Sequence, residues 1–187
     1  MKSLKWTQRI LLTFGVIAIV YSVGSVAYSK AYQYYESSKF DEAIAVGRVS
    51  RIERVPGEGE PIGKLVIARL GVSVIVLEGV ENGTLRLGAG HVPETAMPGS
   101  AGNVAIAAHR DSYFRTVEGI KVGDRVQVET LKGVYEYNVD STEIVNPEDT
   151  NVLNDNDYPE LTLITCYPFH FIGSAPYRFI VHARQIQ

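Results

Sequence analysis

Cysteine is almost missing from this chain. Cys166 is the single one among 187 residues, so no intramolecular disulfide can form and no cysteine-rich zinc site can be assembled. A basic excess is missing too, with 18 Lys and Arg against 21 Asp and Glu and a formal charge of -3. That balance argues against nucleic acid as a partner. No internal repeat or low-complexity segment is visible, and beyond residue 54 no amphipathic stretch is long enough for a major helix. What is present is 45% hydrophobic residues with 21% charged, a composition that folds around a core rather than staying disordered. The length suits one domain of ordinary size plus a tail.

Charge is laid out unevenly. The first nine residues carry Lys2, Lys5 and Arg9 and no acid, leaving 15 basic against 21 acidic residues in the rest, a balance of -6. From Ile10 to Ser29 no residue is charged, and twenty helical residues rise about 30 Å, the thickness of a bilayer's hydrocarbon core. The segment reads as one transmembrane helix. Its cationic flank places the N-terminal tip, 1–9, in the cytoplasm, with Trp6, Tyr28, Tyr32, Tyr34 and Tyr35 where interfacial aromatics belong. The expected location is therefore the cell membrane, single-pass, with the rest of the chain outside the cell. A cleaved signal peptide ending at Ser25-Val26-Ala27 is the competing reading, but the apolar run is too long for one.

Residues 30–61 are expected to be a juxtamembrane stalk and linker. They mix helix formers with charge and end in Pro56, Gly57, Gly59 and Pro61. A globular domain should occupy 62–187. Its pattern is β: apolar and β-branched runs recur at Lys64 to Leu70, Ser73 to Glu78, Asn103 to Ala108, Arg125 to Leu131, Val134 to Ile144, Glu160 to Cys166 and Tyr177 to Gln185. Seven or eight strands in this length predict an all-β barrel or sandwich. Two irregular stretches, Glu81 to Gly102 and Tyr167 to Pro176, are the places to look for a substrate groove.

An unpaired thiol in an oxidising compartment is unexpected and asks for a reason. Most free cysteines are inert filler, yet Cys166 ends a strand and faces a loop, where sites are built. A cysteine nucleophile needs a base, and attack on a carbonyl needs a donor for the developing oxyanion. His109 has the same setting as Cys166, at the end of the run Asn103 to Ala108. His170, four residues after Cys166, is its rival as base. His182 lies within the last strand and reads as structural. Arg178, opening that strand, offers a fixed fork of donors. Taken singly, each of these has a structural explanation as good as a functional one.

Together they resemble a family. Thr162-Leu163-Ile164-Thr165-Cys166 is similar to the TLxTC signature of sortases, and Arg178 follows at the family's spacing within Ala175-Pro176-Tyr177-Arg178-Phe179-Ile180-Val181. Gly90-His91-Val92-Pro93 and the run from Gly102 to Asp111 resemble the stretch leading to the sortase histidine. The likeness covers residues 62 to 186 and is strongest to class D sortases. It implies a closed β-barrel of about eight strands with short helices, and a membrane-anchored transpeptidase. Such an enzyme cuts an LPxT-type sorting signal after its threonine and holds the acyl fragment as a thioester. It then transfers that fragment to an amine of a peptidoglycan precursor or a pilin-like protein. On this resemblance Cys166 is the nucleophile, His109 the acid and base, and Arg178 the donor to substrate carbonyls. Thr165, His91, Tyr167 and His170 are candidates for contacts to substrate. No cofactor is expected. Glu78, Glu81, Glu94 and Asp124 form no calcium loop of the EF-hand kind, so no metal is expected either. Two other readings compete: a thiol hydrolase using water as acceptor, and a non-catalytic surface barrel in which Cys166 is incidental.

Overall fold

The computed structural model describes residues 2–45 and 56–186. Residues 46–55 of the expected stalk lie outside the described residues, as do the chain's first and last residues. A single helix, α1, runs Lys2–Ala45, roughly 66 Å at the usual helical rise. Its apolar part is long enough to cross a membrane, and Leu11 and Phe14 are each 68% exposed, so the barrel does not cover that surface. The expected apolar span is therefore only part of a longer helix.

The eight strands are β1 Pro61–Ile67, β2 Val72–Glu78, β3 Ala89–His91, β4 Asn103–Ala107, β5 Arg125–Thr130, β6 Gly133–Val145, β7 Glu160–Tyr167 and β8 Tyr177–Gln185. They close into a barrel in the order β1-β2-β3-β4-β7-β8-β6-β5. Two pairings, β2 with β3 and β4 with β7, are parallel, and the others are antiparallel. Short helical turns sit between strands, including α2 at Asn82–Leu87. Alternation of side chains along each strand sends one face inward. Leu65, Val76, Ile106, Val128, Leu163 and Val181 meet there as part of one core.

The structure differs from the sequence reading in two places. The stretch Glu81 to Gly102, expected as a long loop, contains α2 and the three-residue strand β3. The segment expected as a stalk is helical as far as Ala45 and lies against the outside of β2. Phe40 is buried there with Ile75 and Leu77. Because β3 pairs with β2 only from Val76 onward, the backbone amide of Ile75 needs another acceptor, and Gln33 Oε1 supplies it at 2.9 Å. Gln33 Nε2 donates to Leu87 O, and Lys64 pairs with Asp41 and with Glu129.

Candidate active site

Three neighbouring strands carry the site. β4 runs parallel to β7 with Ala107 opposite Ile164, and continuing that register by two residues sets His109 level with Cys166. β7 and β8 are antiparallel with Cys166 opposite Arg178, so their Cβ atoms stand about 5 Å apart, as directly opposed residues do. Facing follows from alternation. Val104 and Ile106 of β4 with Ala108 just past its end, Leu161 and Leu163 of β7, and Val181 and Ala183 of β8 belong to the core. His109, Cys166 and Arg178 fall on the alternate positions of the same strands, which face away from that core. One rim of the barrel therefore presents all three on its outer wall. Beside them on that wall β4 carries Ala105 and Ala107, level with Thr162 and Ile164 of β7.

The strand ends are tied together. Ala108 N donates to Ile164 O at 3.1 Å, and the Thr165 hydroxyl, 3% exposed, donates to Ala108 O at 2.7 Å. Immediately beyond, His109 O accepts from Ser112 N at 3.3 Å and Phe114 N at 3.1 Å. The fully buried Phe114 anchors that turn in the core. His109 therefore sits at a fixed strand-to-turn corner.

Cys166 is a free, half-buried thiol. Among the described residues neither its sulfur nor the His109 ring has a hydrogen-bond partner, so the two are not tied to each other. Catalytic contacts commonly tighten only when substrate binds. Arg178 Nη1 donates to Tyr177 O at 3.1 Å, and its other N–H groups have no protein acceptor among the described residues. They are available to a ligand's carbonyl oxygens.

The remaining candidates fall elsewhere. Thr165 was expected beside substrate, but its hydroxyl is turned inward to Ala108 O. Tyr167 follows Cys166 and stacks on Phe179, ring centroids 6.4 Å apart, with Phe169 packed edge-on against both. His170 lies in the β7–β8 loop, exposed, with Nε2 3.0 Å from Glu118 Oε2. His91 was expected on the wall of a groove. It is 2% exposed, with Nδ1 2.9 Å from Glu78 Oε2 and Nε2 3.0 Å from Ala96 O. Its ring pins the β3–β4 connection and does not reach Cys166.

His182 holds Glu160 and Glu143 through its two ring nitrogens, at 3.1 and 2.9 Å. The Glu160 carboxylate, followed by Glu143, raises its pKa against the opposing effect of burial. These three side chains line a polar depression of about 360 Å³ with Asn103, Asp149 and Asn154, at the opposite end of β7 and β8 from Cys166. Among the described residues no group of three or more His, Cys, Asp or Glu is gathered to hold a metal ion.

Likeness to known proteins agrees with this geometry. The sequence pattern of the sortase domain matches residues 65–186. Sortase D of Bacillus subtilis is 30% identical over 132 residues, 70% of this chain and 67% of that protein. Sortase A of Bacillus anthracis is 32% identical over 109 residues, and the chain spans only 51% of its length. Among solved structures, a Clostridium perfringens sortase D5 transpeptidase superposes with a TM-score of 0.69 at 29% identity, covering 86% of this chain and 99% of that one. A sortase from Actinomyces oris gives 0.64 at 32% identity, over 72% and 83%. With the barrel closed in this strand order, the motif-bearing strand ends side by side, and class D relatives in both sequence and structure, the chain belongs to the sortase family.

Proposed function

We propose that the chain is a membrane-anchored cysteine transpeptidase acting on LPxT-type sorting signals of secreted proteins. The observation that supports it most is the convergence of Cys166, His109 and Arg178 on one outer rim, set by the β4–β7 and β7–β8 registers. The Cys166 thiol gives its proton to His109, and the Sγ thiolate attacks the threonine carbonyl carbon of the signal. The C–N bond breaks, His109 gives its proton to the leaving amine, and the acyl fragment stays on sulfur as a thioester. An incoming amine of the cell wall or of another protein then attacks the thioester, with His109 taking its proton. The new amide leaves and the thiol is restored. A thioester is a good acyl donor to an amine, so the reaction needs no external energy source. Arg178 donates to substrate carbonyls, where the oxyanion develops.

The apolar part of α1 would anchor the enzyme with its N-terminus in the cytoplasm and the barrel outside the cell, on the same flanking-charge argument. The test is to incubate the full chain in detergent with an LPxT peptide, with and without an added amine, and weigh the products. Transfer to the amine is the expected result. Hydrolysis at a rate unaffected by a range of amines would replace the transpeptidase with a thiol hydrolase. An inert thiol that resists iodoacetamide would replace it with a non-catalytic barrel.

A further inference from the structure

The residue after His109 makes an arrangement that the transpeptidation scheme does not use. The guanidinium of Arg110 binds three backbone carbonyls of the β7–β8 loop. Nη1 donates to Pro168 O at 2.8 Å, and Nη2 donates to Phe171 O at 2.8 Å and to Gly173 O at 2.9 Å. Its central carbon also lies 5.9 Å from the centroid of the Phe171 ring. No carboxylate pairs with Arg110 among the described residues, so its charge is directed at carbonyl dipoles alone. The guanidinium spreads its donors over separate nitrogens in a fixed plane and so spans acceptors on both sides, whereas the three donors of a lysine ammonium share one nitrogen and lack that reach.

Apart from Phe169, which packs at the loop's base against Tyr167 and Phe179, the loop that Arg110 grips has little else to hold it. It spans 168–176, between the last residue of β7 and the first of β8. Ile172 at its tip is 97% exposed. Among the described residues its only other polar tie to the rest of the chain is His170 to Glu118, at the surface. The base of the loop is fixed by the pairing of Tyr167 with Tyr177 and of Cys166 with Arg178, and the far side is held by Arg110. Because Arg110 is bonded to His109, the loop and the His109 corner keep one relative position.

We propose that Arg110 is a positioning residue that holds the β7–β8 loop in the substrate-accepting arrangement beside Cys166. The inference rests on the transpeptidase reading given above. Its consequence is specific. Cys166 and Arg178 are held by the strand ladder and stay in place without Arg110. Freeing the loop therefore lowers the fraction of molecules able to accept the signal and leaves the chemistry of a bound substrate intact. Apparent affinity falls by that fraction.

The experiment uses the full chain in detergent with an LPxT peptide and a saturating amine, and compares wild type with Arg110→Ala and Arg110→Lys. KM should rise about tenfold in Arg110→Ala, with kcat within about threefold of wild type. Arg110→Lys, able to reach one carbonyl but not three, should fall between the two. Added ethylguanidinium should lower the KM of Arg110→Ala and not that of Arg110→Lys. A merely structural role would instead remove active molecules, lowering kcat at unchanged KM, and that result overturns the proposal, as does wild-type behaviour of both variants. Chymotryptic cleavage after Phe171, located by mass, reads the loop without reference to activity. It should be about tenfold faster in Arg110→Ala, and equal cleavage rates overturn the proposal. If wild type processes no sorting peptide, the transpeptidase reading fails, and cleavage alone then decides whether Arg110 holds the loop.

Discussion

Thr165→Val is the substitution whose effects this structure defines most sharply. Valine keeps the shape and the β-branch and removes only the hydroxyl, which donates to Ala108 O at 2.7 Å from a position 3% exposed. The variant leaves the Ala108 carbonyl short of its donor in a place that water does not reach. Stranding one buried partner costs about 1 to 3 kcal/mol, which lowers Tm by roughly 4 to 10 °C for a domain near this size. The same hydroxyl links the strand end bearing Cys166 to the residue before His109, so turnover should also fall, by about tenfold for a small misplacement of the acid–base residue. Differential scanning fluorimetry of the detergent-solubilised chain and steady-state kinetics measure both. Thr165→Ser, which restores the donor, should recover most of each loss. A Thr165→Val protein with unchanged Tm and raised KM would refute the reasoning, and would return the hydroxyl to the substrate-facing role that the sequence suggests.

Other expectations are narrower. His109→Ala should abolish transpeptidation, whereas His170→Ala, whose ring reaches only Glu118 at the surface, should leave it within a few-fold; the opposite ranking in a peptide assay would move the acid–base role to the loop. Phe40→Ala removes the ring that α1 buries against Ile75 and Leu77 and should cost about 3 to 5 kcal/mol in thermal or denaturant unfolding. No loss would mean that the helix is not docked in solution. Two groups set a pH window for stability. Hydrogen bonds from Arg69 hold Asp124 below its ordinary 3.8, so its contribution is present above that value and is lost as pH falls through the lowered one. Glu160 and Glu143 hold His182 above its ordinary 6.5, so its contribution is full below 6.5 and is lost as pH rises through the raised value. Tm should therefore be highest between about pH 4 and 6.5. Asp124→Asn should flatten the acid limb, and His182→Gln the alkaline one; unchanged limbs would deny these groups their part.

Much of the barrel is legible in the sequence because its strands are apolar runs of ordinary length between turn residues. β4 and β7, which carry the site, are the clearest of these. β3 was not legible. Ala89-Gly90-His91 is three residues long and has no β-branched side chain, and its strand form depends on neighbours on both sides. Gly90 is required by that crowding, since a Cβ there would stand 2.2 Å from Gly79 O. His91 misled for the same reason: a histidine in an irregular stretch looks solvated, and only the unseen strand shows it buried. The docking of α1 rests on Gln33, Phe40 and Asp41, single residues in a segment of only weak periodicity.

Within the site, strand-end position picked out Cys166, His109 and Arg178 one at a time. What placed them together, the parallel pairing of β4 with β7, joins segments more than fifty residues apart and leaves no local pattern. The Thr165 and Arg110 contacts are equally long-range. Arg110 did stand in the quoted motif, beside His109. Its target carbonyls belong to a loop whose path a sequence does not describe.

The central claim is that Cys166 carries the acyl group between cutting and joining. The full chain is mixed with an LPxT peptide without amine, quenched in acid within the turnover time and weighed intact. The account predicts a population heavier by the mass of the peptide's N-terminal fragment, mapped to Cys166, absent from Cys166→Ala and discharged to the amide when an amine is added. Signal cleavage by Cys166→Ala, or product formation with no adduct on Cys166 at any quench time, would contradict it.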